Sequence, residues 1–197
     1  MKIKKEIIFY ARRMYNEHLV TATSGNISIR LPDDDNAFII TPSSEEYLLL
    51  TEDRLVCMTV NGQILSCPEN GKPSSEWRLH AEIYKSNKLI KSIVHTHSPY
   101  ATSFAVIHES IPLILVEMIP WLGGSIRVSK YAPAGTTELG LNVANEIKNS
   151  GGILMENHGV VAVADSMKLA YTRASYIEDA AKIYYMAKCI GKPYVIE

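Results

Sequence analysis

Long hydrophobic runs are missing from this 197-residue sequence, and so is any excess of charge of one sign. Lysine and arginine number 20 against 21 aspartates and glutamates, a formal net charge of −1. Neither nucleic acid nor an anionic membrane finds the basic surface it needs. The most apolar window, residues 111–119, carries Pro112 and Glu117 and falls far short of the roughly 20 residues that span a bilayer. Met1-Lys2-Ile3-Lys4-Lys5 opens like a signal peptide, but the apolar stretch behind it reaches only Tyr10-Ala11 before Arg12-Arg13 closes it. Cysteine is scarce. Cys57, Cys67 and Cys189 lie far apart, form no CxxC pattern and cannot all pair within one chain, so reduced thiols and a cytoplasmic location are expected. Linker-like segments and internal repeats are absent as well, and residues 1–197 are expected to form a single domain.

Helical and strand periods alternate along the chain. Ile3, Ile7, Ala11, Met14 and Tyr15 place an apolar stripe on a first helix. Residues 26–30 and 37–41 read as strands around the turn Pro32-Asp33-Asp34-Asp35-Asn36, and residues 56–60 and 63–65 flank Asn61-Gly62, a strong hairpin signal. A helix is expected from Ser74 or Ser75 to about Asn87 with a serine as its cap, then a strand over residues 92–97. Ser98-Pro99 opens a helix to about His108, an apolar run ends at Gly123-Gly124, and residues 125–129 read as a short strand. Residues 137–150 are helical, residues 152–164 form a strand pair or one bent strand, and Ser166 caps a last helix ending at Gly191. The pattern predicts an α/β fold of three layers, α/β/α, around a mostly antiparallel central sheet.

His95-Thr96-His97 carries the first chemical signal. On a strand, side chains two apart leave the same face, so both imidazoles reach one point, and such pairs suit Zn²⁺ or another divalent metal. The pair alone is only moderately specific. His158, in Glu156-Asn157-His158-Gly159, sits where a turn aims a side chain off a sheet edge, and three histidines leave a tetrahedral metal one open, catalytic position. Glu76 stands at the start of a helix behind Pro73-Ser74-Ser75. Helix-dipole complementarity, about 0.3–1 kcal/mol, accounts for one acid and one serine but not for the serine doublet. Hydroxyls and free backbone N–H groups at a helix start also make an anion site. Ser24-Gly25-Asn26 and Thr41-Pro42-Ser43-Ser44 are turns first. Together with Ser74 and Ser75 they supply a lysine-free set of neutral donors suited to a phosphate monoester. His80, four residues after Glu76, reads as a packed, hydrogen-bonded histidine.

In the order and spacing of these motifs the chain resembles the class II aldolase/adducin-head superfamily. The motifs are Ser24-Gly25-Asn26, Thr41-Pro42-Ser43, Ser74-Ser75-Glu76 with Leu79-His80 and Ile83-Tyr84, His95-Thr96-His97-Ser98, and Asn157-His158-Gly159. The resemblance implies one Zn²⁺ per subunit, or another divalent metal, held by His95, His97 and His158. Glu76 would be a further ligand in the resting state and the acid/base. It implies a sugar phosphate held by Gly25, Asn26, Ser43, Ser44, Ser74 and Ser75, and a homotetramer with its sites at subunit interfaces. The reaction so implied is reversible aldol cleavage of a ketose 1-phosphate, such as L-fuculose 1-phosphate, to dihydroxyacetone phosphate and a short aldehyde.

The chain departs from the pattern in places. Where relatives carry a tyrosine that acts in a neighbouring subunit's site, Leu115-Val116-Glu117-Met118 offers Glu117, which could do that work if burial raised its pKa. A glutamate in this neighbourhood also resembles the acid/base of methylthioribulose-phosphate dehydratases, which lack the Ser-Ser-Glu element. Ser44 replaces a glycine often found in the phosphate loop. The family's mobile C-terminal tail carries a further tyrosine, whereas only Tyr194 follows Gly191 here. The rival readings are a pentulose-phosphate 4-epimerase, a dehydratase or decarboxylase on the same scaffold, and a non-catalytic interaction module like the adducin head.

Overall fold

The computed structural model describes residues 2–197. Its strands are β1 (Asn26–Arg30), β2 (Ala37–Ile40), β3 (Val56–Thr59), β4 (Ile64–Ser66), β5 (Ser92–Thr96), β6 (Val128–Ser129), β7 (Gly152–Met155) and β8 (Gly159–Ala164). They join one eight-stranded sheet in the order β4-β3-β2-β1-β5-β8-β7-β6. Of the neighbouring pairs only β6–β7 is parallel. The helices are α1 (Lys2–Asn16), α2 (Trp77–Ser86), α3 (Pro99–Val106), α4 (Met118–Leu122), α5 (Thr137–Ile147) and α6 (Met167–Ile190).

Side-chain alternation sorts these helices into two layers. On β5, Val94 packs into a core with Ile7, Met14, Phe104, Leu122 and Tyr171, from α1, α3, α4 and α6. Its neighbour Ile93 packs into a second core with Leu79, Ile83, Leu139 and Val143, from α2 and α5. The sheet is covered on both faces, so β1, β5 and β8 are buried along their whole length; β7 and β8 read as apolar runs, whereas β1 alternates apolar with buried polar residues. The result is the expected α/β/α sandwich around a mostly antiparallel sheet.

Three local expectations change. Helix α2 starts at Trp77, so Glu76 occupies the N-cap and no serine side chain caps the helix; instead Ser74 Oγ accepts the Glu76 N–H at 3.3 Å. Ser98 and Ser166 stand at the N-caps of α3 and α6, but neither side chain makes a capping bond. The run ending at Gly123-Gly124 contains α4, a helix not read from the sequence. Pro112 and Pro120 deny that run the N–H groups a strand needs. Only Ile111 pairs, across an isolated bridge to Ile126, and Gly123 ends α4 in the left-handed region at φ 79°.

Antiparallel pairing decides where chemistry can gather. Asn26, the first residue of β1, lies opposite His95 near the end of β5, and Thr96 lies opposite Val160 near the start of β8. One end of the three central strands therefore carries Asn26, His95, His97 and the β7–β8 turn.

A candidate metal centre and its serine-lined cleft

His95 leaves the sheet end fully buried, and His97 follows one residue beyond β5. His158 comes from the three-residue turn joining β7 to β8, where Asn157 takes a left-handed φ of 54°. Gly159 behind it lies against the sheet so closely that a Cβ there would strike the Thr96 carbonyl. Glu76 arrives from the opposite direction, at the head of α2. Ligand atoms of Glu76, His95, His97 and His158 all lie within 4.8 Å of one another.

Three of the separations in that cluster are close to the edge length of a metal site. His95 Nε2 is 3.0 Å from Glu76 Oε2, His158 Nε2 is 3.1 Å from Glu76 Oε1, and His97 Nε2 is 3.1 Å from His95 Nε2. A tetrahedron with metal–ligand distances of about 2.0–2.1 Å has edges of about 3.3 Å. Donor accounting points the same way. His95 Nδ1–H donates to the Val160 carbonyl at 2.8 Å, which turns the lone pair of Nε2 toward Glu76 and His97. Glu76 is 7% exposed, yet its Oε1 accepts no well-aligned hydrogen bond. Several buried lone pairs thus aim at one point, an arrangement that a cation satisfies and that the donor set, three imidazoles and a carboxylate, suits.

Titration follows from the same crowding. Burial works against charge on His95, but the Glu76 carboxylate outweighs it and raises the His95 pKa. Burial would raise Glu76; His95 and His158 overcome it and hold the carboxyl well below the usual range. Burial, reinforced by charge on His95 and His158, depresses His97 to about 3. His97 is therefore held neutral, the form that ligates.

Beside this cluster lies a cleft of about 440 Å³ lined by Gly25, Asn26, Ser43, Ser44, Ser74, Ser75, Glu76, His97 and His158. Three loops are tied together to make it. Ser74 N–H donates to the Thr41 carbonyl at 3.1 Å, Ser43 N–H to Lys72 at 3.0 Å, and Thr41 N–H to Ile27 at 3.1 Å. Gly25 sits at φ 74°, where a Cβ would lie 2.6 Å from the His95 carbonyl, so only glycine lets this loop pass over β5. The cleft also takes in Thr21, Ala22, Thr23 and Ala134, which the sequence reading missed. A second omission is Tyr47, whose buried hydroxyl donates to the carbonyls of Gly25 (2.6 Å) and Ser24 (3.0 Å). No motif marks it, because its partners are backbone atoms. Glu117 is not brought to this cluster; it stands exposed at the N-cap of α4.

Ser44 occupies the left-handed region at φ 61° with its side chain exposed. A non-glycine residue there carries a steric penalty of about 1–2 kcal/mol, part of which glycine returns as greater freedom of the unfolded chain. Ser44→Gly is therefore expected to raise stability by up to about 1 kcal/mol, or roughly 2–4 °C in thermal midpoint, read by calorimetry.

The family model for the class II aldolase and adducin N-terminal domain matches residues 5–185. The chain is 33% identical over 195 residues to the 5-deoxy-D-ribulose 1-phosphate aldolase of Bacillus thuringiensis serovar kurstaki, covering 99% of this chain and 90% of that one. It is 34% identical over 193 residues to the L-fuculose phosphate aldolase of Escherichia coli strain K12, covering 98% and 86%. A solved structure of an L-fuculose 1-phosphate aldolase superposes with a TM-score of 0.94 at 33% identity, covering 100% of this chain and 91% of that one.

Proposed function

Because the chain belongs to the class II aldolase and adducin N-terminal domain family, we propose that it is a metal-dependent aldolase. It would cleave a deoxyketose 1-phosphate reversibly to dihydroxyacetone phosphate and a short aldehyde. The observation that carries this reading is the meeting of three imidazoles and a buried carboxylate beside a lysine-free, serine-lined cleft. The similar proteins named above act, by their names, on two different deoxyketose phosphates, which supports the class of substrate rather than one sugar.

In this reading His95, His97 and His158 hold one Zn²⁺ or a similar divalent ion, with Glu76 as a further ligand. The metal supplies Lewis-acid stabilisation of negative charge developing on the substrate's oxygens. The serine hydroxyls of residues 43, 44, 74 and 75 and the backbone N–H groups at Gly25 and Asn26 bind the phosphate. That fixes the orientation of the bond to be broken and provides binding energy remote from it. In the cleavage direction a base on the aldehyde side takes the C4 hydroxyl proton as the C3–C4 electron pair passes to the dihydroxyacetone half, and Glu76, after taking up a proton from solvent, delivers it to C3. In synthesis Glu76 removes that proton. Glu117 would serve the aldehyde side of a neighbouring subunit's site, in a cytoplasmic homotetramer with sites between subunits. Its exposed position on α4 is compatible with such a contact. Among the described residues no helix is long and apolar enough to cross a membrane.

The test is triose-phosphate release, coupled to NADH oxidation, from L-fuculose 1-phosphate, 5-deoxy-D-ribulose 1-phosphate and related ketose 1-phosphates. Release is expected with metal-loaded protein, lost with a chelator and restored by Zn²⁺. Metal-loaded protein that releases triose phosphate from none of them would sink the aldolase reading.

A further inference from the structure

The strand β1 and the head of α2 carry matched polar residues, of which the proposed chemistry uses only Glu76 and the Asn26 backbone. On β1 they are Asn26, Ser28 and Arg30, spaced two apart and so on one face. Facing them are Glu76, His80 and Tyr84, spaced four apart on α2 and its cap. Two residues of strand rise about 6.6 Å and four of helix about 6.0 Å, so the two rows stay in step. Asn26, Ser28, Arg30, His80 and Tyr84 are all buried, His80 and Ser28 completely.

The contacts form one continuous ladder. Asn26 Nδ2 donates to Glu76 Oε2 at 2.9 Å, and Asn26 Oδ1 meets His80 Nε2. His80 Nδ1 is 2.6 Å from Ser28 Oγ, which is 2.7 Å from the Tyr84 hydroxyl. Arg30 closes the far end: its guanidinium lies 4.6 Å from the Tyr84 ring centroid and donates to the Tyr84 carbonyl at 2.6 Å.

Only one set of hydrogen positions satisfies every member. An ionised carboxylate can only accept, so Asn26 must turn its NH₂ to Glu76 and its carbonyl to His80. His80 then needs its hydrogen on Nε2 and a bare Nδ1. Ser28 must donate to that nitrogen, which leaves its oxygen to accept from Tyr84. Reversing the ladder would set the Asn26 carbonyl against the Glu76 carboxylate, two acceptors in a buried place. Burial keeps His80 neutral, with its pKa lowered to about 3, and raises that of Tyr84, so the ring and the phenol hold these forms.

We infer that His80 is a positioning residue: through this one-way ladder it fixes the Asn26 amide so that Glu76 Oε2 is always occupied and Oε1 is the oxygen left for a ligand or a proton. The inference rests on Glu76 being the functional carboxylate of the cleft. It also assigns Asn26 a side-chain role distinct from the backbone contact proposed for it with phosphate.

Two measurements test it, and neither uses a sugar phosphate, so failure of the aldolase reading would leave both intact. Imidazole ¹⁵N spectra of the metal-free protein should show His80 as the Nε2–H tautomer; a hydrogen on Nδ1 would overturn the inference. Titration with Co²⁺ alone should show affinity falling about 10–100-fold in His80→Leu, the range typical of outer-shell partners of metal ligands. His80→Gln, which keeps a donor toward Asn26, should recover most of that loss, as a general loosening of the fold would not. Folded His80→Leu protein that binds Co²⁺ as tightly as the parent would also overturn it. If His80→Leu does not fold, Ser28→Ala takes its place: it removes only the donor to Nδ1 and should weaken Co²⁺ binding in the same direction.

Discussion

Glu76→Gln is expected to lower kcat for triose-phosphate release by about 10²–10⁴-fold, the span that positioned general acid–base catalysis contributes, while KM moves little. The substitution keeps the shape of the side chain and an oxygen to accept from Asn26, so the ladder behind it survives. What disappears is the charge and the basic oxygen. In the parent chain two imidazoles, at 3.0 and 3.1 Å, overcome burial and keep that carboxyl ionised. The cleft serines, Ser43 and Ser44 on another loop and Ser74 and Ser75 just ahead of Glu76, keep their hydroxyls, which is why binding should persist. Steady-state kinetics on metal-loaded protein checks this. A kcat within a few-fold of the parent would mean that Glu76 is a ligand and nothing more.

His97→Ala is expected to abolish metal retention. His97 stands just past the end of β5, where nothing else can replace its Nε2. Losing a ligand should weaken affinity by at least the 10–100-fold that losing an outer-shell partner brings. Metal analysis after dialysis gives the direct reading, and thermal unfolding gives a second. Metal at 100 times its dissociation constant stabilises the parent by about 2.7 kcal/mol, and that increment should vanish in the variant. Metal-free, the two proteins should unfold at similar temperatures, because three imidazoles converging with ring centroids about 5 Å apart hold little mutual attraction without a cation. The same substitution separates the enzyme from an adducin-head-like module, which would keep its interactions after losing the histidine.

Much of the candidate site was legible because its residues are chemically unusual for where they stand. A His-x-His at a strand end, a serine doublet before a glutamate and a histidine before a glycine each conflict with what packing alone would select. The layer order was legible for a different reason, the interleaving of helical and strand periods along the chain. Elements without such a conflict were misread. The α2 start looked like a serine cap because Ser74 and Ser75 precede an apolar period, yet Glu76 holds the cap and its carboxylate turns away to the histidines. The helix α4 was hidden inside an apolar run whose prolines exclude a strand but do not announce five residues of helix. Tyr47 gave no signal, because a tyrosine bonding two backbone carbonyls has no sequence partner.

By itself, then, the sequence determined the three-layer α/β class and singled out the four side chains that converge and the donor-rich loops. Periodicity and residue chemistry are local properties that survive in a one-dimensional string. Only the tertiary structure decided that Asn26 faces His95 across β1 and β5, that Glu76 meets histidines from the end of β5 and from the β7–β8 turn, and that β1 and α2 keep step along a polar ladder. Strand register and the approach of a helix to a sheet are set by how two faces pack. Packing joins residues some fifty positions apart, a separation that no local pattern encodes.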